Sequence, residues 1–208
     1  MNPQAIKIIV GAFSMKKELK ILFYSIAIIF ILPVFAVLIL TQAGIDIISG
    51  ALVTNNQQTM EVDIHDPANG RVVDHISATG VWPVSGPVSL EFGQNDLPYQ
   101  PFHTGIDIAS PVHAVGDPVV AFMAGTVTYA DTTRYGFGKH VEIYHGHHVS
   151  SIYGHLDTIG VVEGQEVTVG TVLGTRGTTG WSTGPHLHFQ INVFNIPVNP
   201  RVFLSGKP

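Results

Sequence analysis

The stretch His186-Leu-His-Phe-Gln-Ile-Asn-Val193 indicates the type of fold, because aromatic and β-branched residues alternate with polar ones along it. In a strand, side chains two residues apart project from the same face, so the two histidines lie together while Leu187 and Phe189 occupy the other face. Further short runs of this kind, separated by glycine and proline, are PVSLEF, PVVAFM, GTVTYA, KHVEIYH, VSSIYGH, QEVTV and TVLGT. Short strands at this spacing predict an all-β domain, built as a compact antiparallel β-sheet or sandwich.

Two segments of the chain resemble each other. Gly116-Asp-Pro-Val119 is followed by Gly125-Thr-Val127, and Gly164-Gln-Glu-Val167 is followed by Gly170-Thr-Val172. The glycines fit turn positions with positive φ and the valines fit inward-facing strand positions, so the repeat predicts two similar hairpins. Lipoyl-carrier domains have a similar spacing. A carrier needs a lysine at the hairpin tip, however, and neither turn contains one.

The composition narrows the function classes. A chain of 208 residues has room for one catalytic domain and an appendage. The net charge is -5, and no run of Lys or Arg follows the first 20 residues, so nucleic acid is not an expected partner. Cysteine is absent, which leaves imidazole and carboxylate as the good zinc ligands among the side chains.

An apolar run, ILFYSIAIIFILPVFAVLIL, occupies residues 21–40, and no charged side chain lies between Lys20 and Asp46. At ~1.5 Å per residue this run is long enough to cross a ~30 Å hydrocarbon core, which predicts a transmembrane helix. Lysines precede the run and acidic residues follow it, so the positive-inside rule places the N-terminus in the cytoplasm. A signal peptide cleaved near residues 41–44 is the alternative, although its apolar region is usually only ~7–15 residues long.

The chain is therefore expected to have four parts. Residues 1–20 form a cytoplasmic N-terminus, residues 21–45 a single-pass anchor in a bacterial cytoplasmic membrane, and residues 46–79 a polar linker with one short strand. Residues 80–204 form the all-β domain, which lies outside the membrane.

Three short motifs contain the candidate functional residues. His186 and His188 share a strand face, which suits one metal ligand and one catalytic partner, although for an isolated His-x-His two histidines on a solvated strand face are the more common arrangement. His103 and Asp107 enclose Gly105, where a bend lets both side chains converge on one ion; a turn or capping aspartate is the alternative. Strand alternation places His155 on the same face as Ser151 and Tyr153, and a single histidine there is normally structural.

Together these motifs supply enough ligands for a catalytic zinc site. Two histidines and one aspartate form a three-ligand set that leaves a fourth position open for water. An open site implies hydrolysis, because the metal lowers the pKa of its water and polarises a carbonyl. Two further histidines then remain for proton transfer and for stabilising an oxyanion.

The motifs, in this order, resemble those of the lysostaphin-type zinc metalloendopeptidases, which are peptidoglycan hydrolases with a duplicated hybrid motif fold. The resemblance runs from about Gly80 to Leu204. Besides the three motifs, it includes the segments at residues 82–86, 102–109, 174–180 and 182–189. It implies that Zn²⁺ is bound by three residues and that two others act as the catalytic pair. The implied ligands are His103, Asp107 and His188, and the implied catalytic pair is His155 and His186.

Two features depart from the family pattern. Gly154 replaces the more usual alanine before His155, which should alter loop stiffness more than chemistry. A histidine-rich stretch comprises His140, His145, His147 and His148. A strand-connecting turn is expected at residues 145–148, so the histidines there are interpreted as solvent-exposed.

The expected function is zinc-dependent hydrolysis of peptide bonds in bacterial peptidoglycan, in a cross-link or a stem peptide, by a membrane-anchored enzyme. Specificity is expected to lie in loops such as residues 131–138 and 174–181. A domain of another class fits the same layout: a catalytically inactive, peptidase-like binding or activating module with a protein partner in an envelope machine.

Overall fold

The structure is a computed structural model that describes residues 17–56, 61–77, 80–94, 102–112 and 114–204, together with residues 59, 206 and 208. The chain divides into two units, residues 1–43 and residues 44–208. One long helix, α1 (Lys17–Leu52), precedes a series of strands. In the described part of the chain, no helix is long and apolar enough to cross a membrane. The side chains of residues 33–42 and all of residues 1–16 lie outside the described part, and the anchor at residues 21–45 stays a prediction.

The strands follow one another at short intervals. In chain order they are β1 (Val53–Asn56), β2 (Glu61–His65), β3 (Val72–Ser77), β4 (Val88–Leu90), β5 (Ile106–Ala109), β6 (Pro118–Val120), β7 (Gly125–Thr132), β8 (Lys139–Tyr144), β9 (Val149–Gly154), β10 (Leu156–Ile159), β11 (Glu166–Val167), β12 (Val172–Arg176), β13 (His186–Val193) and β14 (Ile196–Val198). A short 3₁₀ helix, Pro200–Val202, follows.

The first three strands form an antiparallel sheet in the order β1-β2-β3. Val62, Ile64 and Ile76 of this sheet are buried and join the same hydrophobic core as the later strands. The segment predicted as a polar linker with one short strand therefore contains three strands. Each of these strands has at most three apolar residues, which is too few to stand out from a polar background.

The main sheet has eight strands in the order β11-β7-β8-β9-β13-β5-β4, with β14 added beside β13. The odd-numbered residues of β13 form its inner face, and Leu187, Phe189, Ile191 and Val193 are fully buried there. Burying each such side chain contributes about 1.5–3 kcal/mol. A second sheet, β10-β12-β6, contributes Leu156, Leu173 and Val119 to the same core. Every strand pair in these sheets is antiparallel, which confirms the predicted all-β domain.

The internal repeat does not form two hairpins, and that prediction is wrong. Strand β6 of the first repeat pairs with β12 of the second, and β11 of the second pairs with β7 of the first. Each repeat thus contributes one strand to each sheet, and each of its strands pairs with a strand of the other repeat. The similarity in sequence correctly indicated similar local turns, but pairing between distant segments is set by the packing of both repeats on one core.

Candidate metal centre

Three side chains converge on one point at the outer face of the main sheet. His103 Nε2, Asp107 Oδ1 and His188 Nδ1 lie 3.0 Å from one another in all three pairs. The ligand atoms of a tetrahedral zinc at about 2.1 Å are roughly 3.4 Å apart. The three donors thus need to separate by only a few tenths of an ångström to hold such an ion. They are the one group of this kind in the described residues.

The strand register creates this convergence. Asp107 on β5 lies directly opposite His188 on β13, and directly opposed residues project from the same face of a sheet. Gly105 brings the His103 segment close to the sheet, because a Cβ at this position would overlap the backbone oxygen of Phe189 and crowd the ring of His188. Gly105 is therefore required for close approach, and its φ is not in the left-handed region.

Both imidazoles are held so that one particular nitrogen faces the centre. The Nδ1–H of His103 donates to the carbonyl oxygen of Glu91 at 3.1 Å, and the Nε2–H of His188 donates to Oε1 of Gln190 at 3.4 Å. In neutral rings the remaining nitrogens therefore direct lone pairs at each other and at the carboxylate of Asp107. A cation at the centre stabilises such a cluster of lone pairs, so these three ligand atoms fit a zinc ion.

Asp107 is ionised in this environment. Burial raises the pKa of its carboxyl, but when the facing nitrogens of His103 and His188 carry protons in place of a cation, their hydrogen bonds outweigh that effect and hold the pKa well below its usual value. A carboxylate that remains charged at neutral pH is the form that binds a metal.

The two histidines of the expected catalytic pair lie beside this centre. The rings of His155 and His186 are 4.7 Å apart between centroids, and His186 Nε2 is 3.5 Å from Asp107 Oδ2. The Nδ1–H of His155 donates to the carbonyl oxygen of Thr179 at 2.7 Å, and that of His186 donates to the carbonyl oxygen of Gly184 at 2.8 Å. Each ring therefore keeps Nε2 free to exchange a proton in the cleft.

The predicted strand alternation around His155 is wrong. Ser151 and Tyr153 face the core, where the ring of Tyr153 contacts that of Phe189. Strand β9 ends at Gly154, and His155 has a φ of 61°, a left-handed conformation that is uncommon outside glycine. This turn moves the imidazole of His155 to the opposite face of the sheet, next to His186 and His188.

The environment of His155 keeps its ring neutral. Burial, together with the neighbouring His188 and His186, lowers the pKa of His155 to about 3. The ring is therefore a proton acceptor throughout the physiological range. A free base beside an ionised carboxylate and a set of metal donors is an arrangement suited to hydrolysis.

Two loops enclose the cleft around His155. The first loop, residues 131–138, contacts His155, because the backbone N–H of His155 donates to the carbonyl oxygen of Phe137. The second loop, residues 174–181, is joined to the first by the N–H of Trp181, which donates to the carbonyl oxygen of Gly136 at 2.9 Å. The exposed rings of Tyr135 and Trp181 lie 6.3 Å apart at the rim. The loops predicted to carry specificity thus both reach the candidate centre.

The histidine-rich stretch contains both buried and exposed side chains. His140 lies on β8, where it is buried and stacked on Tyr129. His145 is partly buried, with Nδ1 bonded to Ala124 and Nε2 to Ser151, so the prediction of exposure is wrong for this residue. His147 and His148 are exposed, as predicted.

Gln190 is a contributor that the sequence interpretation missed. It lies two residues beyond His188 on the same strand face, and its Oε1 also accepts a hydrogen bond from Thr104 at 2.6 Å. Its Nε2 donates to Asn192 at 2.7 Å, which fixes the orientation of the amide. The alternation along β13 would have identified it, because residues 186, 188, 190 and 192 share one face.

Residues 101–200 match the family model of peptidase family M23. This chain carries an M23 peptidase domain. The catalytic domain of the antimicrobial peptidase lysostaphin from Staphylococcus simulans is similar, with a TM-score of 0.52 and 28% identity over 57% of this chain and 91% of that one. The resemblance to the lysostaphin-type family is confirmed.

Two curated relatives of the M23 domain differ in what they do. The DD-carboxypeptidase/endopeptidase Mpg of Neisseria meningitidis is 43% identical over 98 residues, which is 47% of this chain and 22% of the relative. The murein hydrolase activator NlpD of Escherichia coli is 36% identical over 130 residues, which is 62% of this chain and 32% of the relative. This chain thus spans less than a third of the length of either protein.

Proposed function

We propose that the M23 domain is a zinc-dependent endopeptidase that hydrolyses peptide bonds of bacterial peptidoglycan. The observation that carries this proposal is the convergence of His103, Asp107 and His188, with two further histidines beside them. The names of lysostaphin and Mpg, a peptidase and an endopeptidase, support the reaction class.

The ligands of this proposed centre are His103, Asp107 and His188. A bound Zn²⁺ supplies Lewis-acid activation of water and of the scissile carbonyl. His155 accepts a proton at Nε2, since its Nδ1–H is committed to Thr179 and its ring is neutral. His186 Nε2 lies 3.5 Å from Asp107 Oδ2; carrying a proton taken up from solvent, it would donate to the oxyanion of the tetrahedral intermediate, and the proton accepted by His155 would pass to the leaving amine.

The location of the reaction is part of the proposal. Residues 21–45 anchor the chain in the cytoplasmic membrane, with the N-terminus inside and the M23 domain outside. The support is the uncharged run between Lys20 and Asp46 and the lysines before it. In that position the enzyme acts on wall close to the membrane, where it takes part in remodelling.

A second candidate function is activation of another wall hydrolase without catalysis by this domain. The similarity to NlpD, which is a murein hydrolase activator, favours it. Such a role needs the surface of the domain and not a filled metal centre.

The two functions are distinguished by incubating purified full-length chain, in detergent micelles, with isolated peptidoglycan. The enzyme should release new amino groups, stop on addition of a chelator and recover with zinc. An absence of chelator-sensitive release from any wall type, with zinc shown to be bound, would favour the activator.

A further inference from the structure

A groove of about 350 Å³ lies on the same face of the main sheet as the metal centre. His188 and Asn192 project from one face of β13, and Asn192 lies opposite Ser150 of β9, which lies opposite Tyr144 of β8. Ser150 and Tyr144 both line the groove. Four residues of strand place Asn192 about 13 Å from His188. The groove thus continues the face that carries the catalytic residues.

The groove combines aromatic rings with uncharged hydrogen-bonding groups and one carboxylate. The rings of His148 and Phe194 stack with centroids 4.2 Å apart, and Tyr144 beside them is 46% exposed. The polar lining comprises Thr128, Glu142, Ser150 and Asn195. The lining residues that the structure describes include no Lys or Arg, so an anionic ligand would find no fixed cation there.

The wall of the groove is held in an unusual backbone conformation. Phe194 and Asn195 form the two-residue turn between β13 and β14, with φ values of 51° and 63°. Turns of this type favour Asn-Gly, and a bulky aromatic residue in the left-handed region is uncommon. The N–H of Phe194 donates to the carbonyl oxygen of His148, which also has positive φ, at 3.0 Å. A residue that this type of turn disfavours thus places its aromatic ring beside the groove.

We propose that this groove binds the N-acetylated sugars of the peptidoglycan glycan strand. Sugars place their C–H faces on aromatic rings and their hydroxyl and amide groups on side-chain acceptors and donors, which matches this lining. A peptide fits less well, because three of the four strand residues in the lining, Glu142, Tyr144 and Ser150, lie on β8 and β9, which are internal strands whose backbone groups already bond to neighbouring strands. Peptides that bind sheets usually add to a free edge.

The spacing between groove and centre also fits such a substrate, and here the inference rests on the proposed function. Stem peptides branch from the sugars, and about four extended residues span roughly 13–14 Å. This length is close to the separation of about 13 Å along β13 between His188 and Asn192, which lies opposite the groove residue Ser150 on the next strand. One stem can therefore have its sugar in the groove while a bond near its far end reaches the candidate centre.

A kinetic experiment tests the groove with the full-length chain in micelles of a non-glycosidic detergent. The substrates are a cross-linked muropeptide and the same cross-linked peptide after an amidase has removed the sugars. We expect kcat/KM to be roughly five- to tenfold higher for the sugar-bearing substrate. Phe194→Asn, which suits the turn, and Tyr144→Ala should erase this preference by raising KM, and neither should change cleavage of the sugar-free peptide.

Val172→Ala, on the exposed part of the second sheet, is the matched control and should keep the preference. Equal rates on both substrates for the unaltered chain would overturn the inference, and so would variants that slow both substrates equally, since the groove would then hold peptide.

If neither substrate is cleaved, the proposed function fails, and a binding experiment decides whether the groove binds sugar. Tetra-N-acetylchitotetraose should give saturation-transfer NMR signals with the unaltered chain that Phe194→Asn weakens at least fivefold; unchanged signals would exclude the groove as the site.

Discussion

Histidines are concentrated in two regions of this chain, and the regions use them differently. At the candidate metal centre, His103 and His188 each donate from one ring nitrogen and direct the other at Asp107 and at one another. In the histidine-rich stretch of residues 140–148, the rings of His140, His145 and His147 form hydrogen bonds with other protein groups. His145 is an example, with one nitrogen on a backbone carbonyl and the other on a serine hydroxyl.

The difference shows that the number of histidines in a segment does not identify a metal site. A histidine whose two nitrogens both have protein partners has completed its hydrogen bonding. At the candidate centre, two histidines and a carboxylate direct lone pairs at one point and lack a donor there. A cation supplies the missing interaction. Asp107 and His188 lie on adjacent strands and His103 lies just before β5, whereas His145, His147 and His148 of the denser cluster lie at the turn after β8.

The largest effect is expected when a proposed ligand is removed. His188→Ala should lower bound zinc to near zero and reduce wall hydrolysis at least about 10³-fold, because two donors cannot retain the ion. His147→Ala, in the histidine-rich stretch, should keep both the zinc content and the rate of wall hydrolysis. Metal content by elemental analysis and amino-group release measure the two effects. Normal zinc content in His188→Ala would contradict the ligand assignment.

Removing His186 should separate chemistry from metal binding. His186→Ala should retain most of the zinc, because its Nε2 is 3.5 Å from Asp107 Oδ2 and outside the three-donor set. The rate constant kcat should fall about 10²–10⁴-fold, which is the range for loss of a proton-transfer group. Loss of zinc in parallel with activity would instead make His186 a ligand.

The sequence predicted the centre better than it predicted the path of the chain. The alternation in β13 and the order of the three motifs were sufficient to group His103, Asp107, His155, His186 and His188, all of which the structure brings together. The route by which His155 arrives was not predictable, because nothing in the residue type demands a φ of 61° at a histidine. The exchange of strands between the two repeats depends likewise on distant packing, which local patterns do not encode.

His145 should affect the pH dependence of stability and not the metal centre. Burial lowers its pKa to about 4 from an unfolded value near 6.5, so the unfolded chain binds its proton first as the pH falls. The contribution of His145 to the free energy of unfolding is therefore fully present above about pH 6.5. It is lost as the pH falls toward 4, which lowers the free energy of unfolding by about 1–3 kcal/mol. His145→Gln should remove this part of the dependence in urea unfolding at pH 7 and pH 5, with His148→Gln as the exposed control. An identical acid loss in His145→Gln would mean that another group titrates.

The smallest effect is expected at Gly154, where the chain departs from the family pattern. A Cβ there would lie 3.3 Å from both His188 Cβ and Phe137 Cδ1, so these neighbours must shift by only a few tenths of an ångström. Gly154→Ala should therefore keep its zinc and change kcat by less than about threefold, a barrier difference under about 0.7 kcal/mol. The same contacts involve a proposed ligand and the loop that holds His155. A large loss of zinc affinity would show that the position of His188 tolerates no displacement, whereas a loss of kcat alone would place the sensitivity at the Phe137 loop.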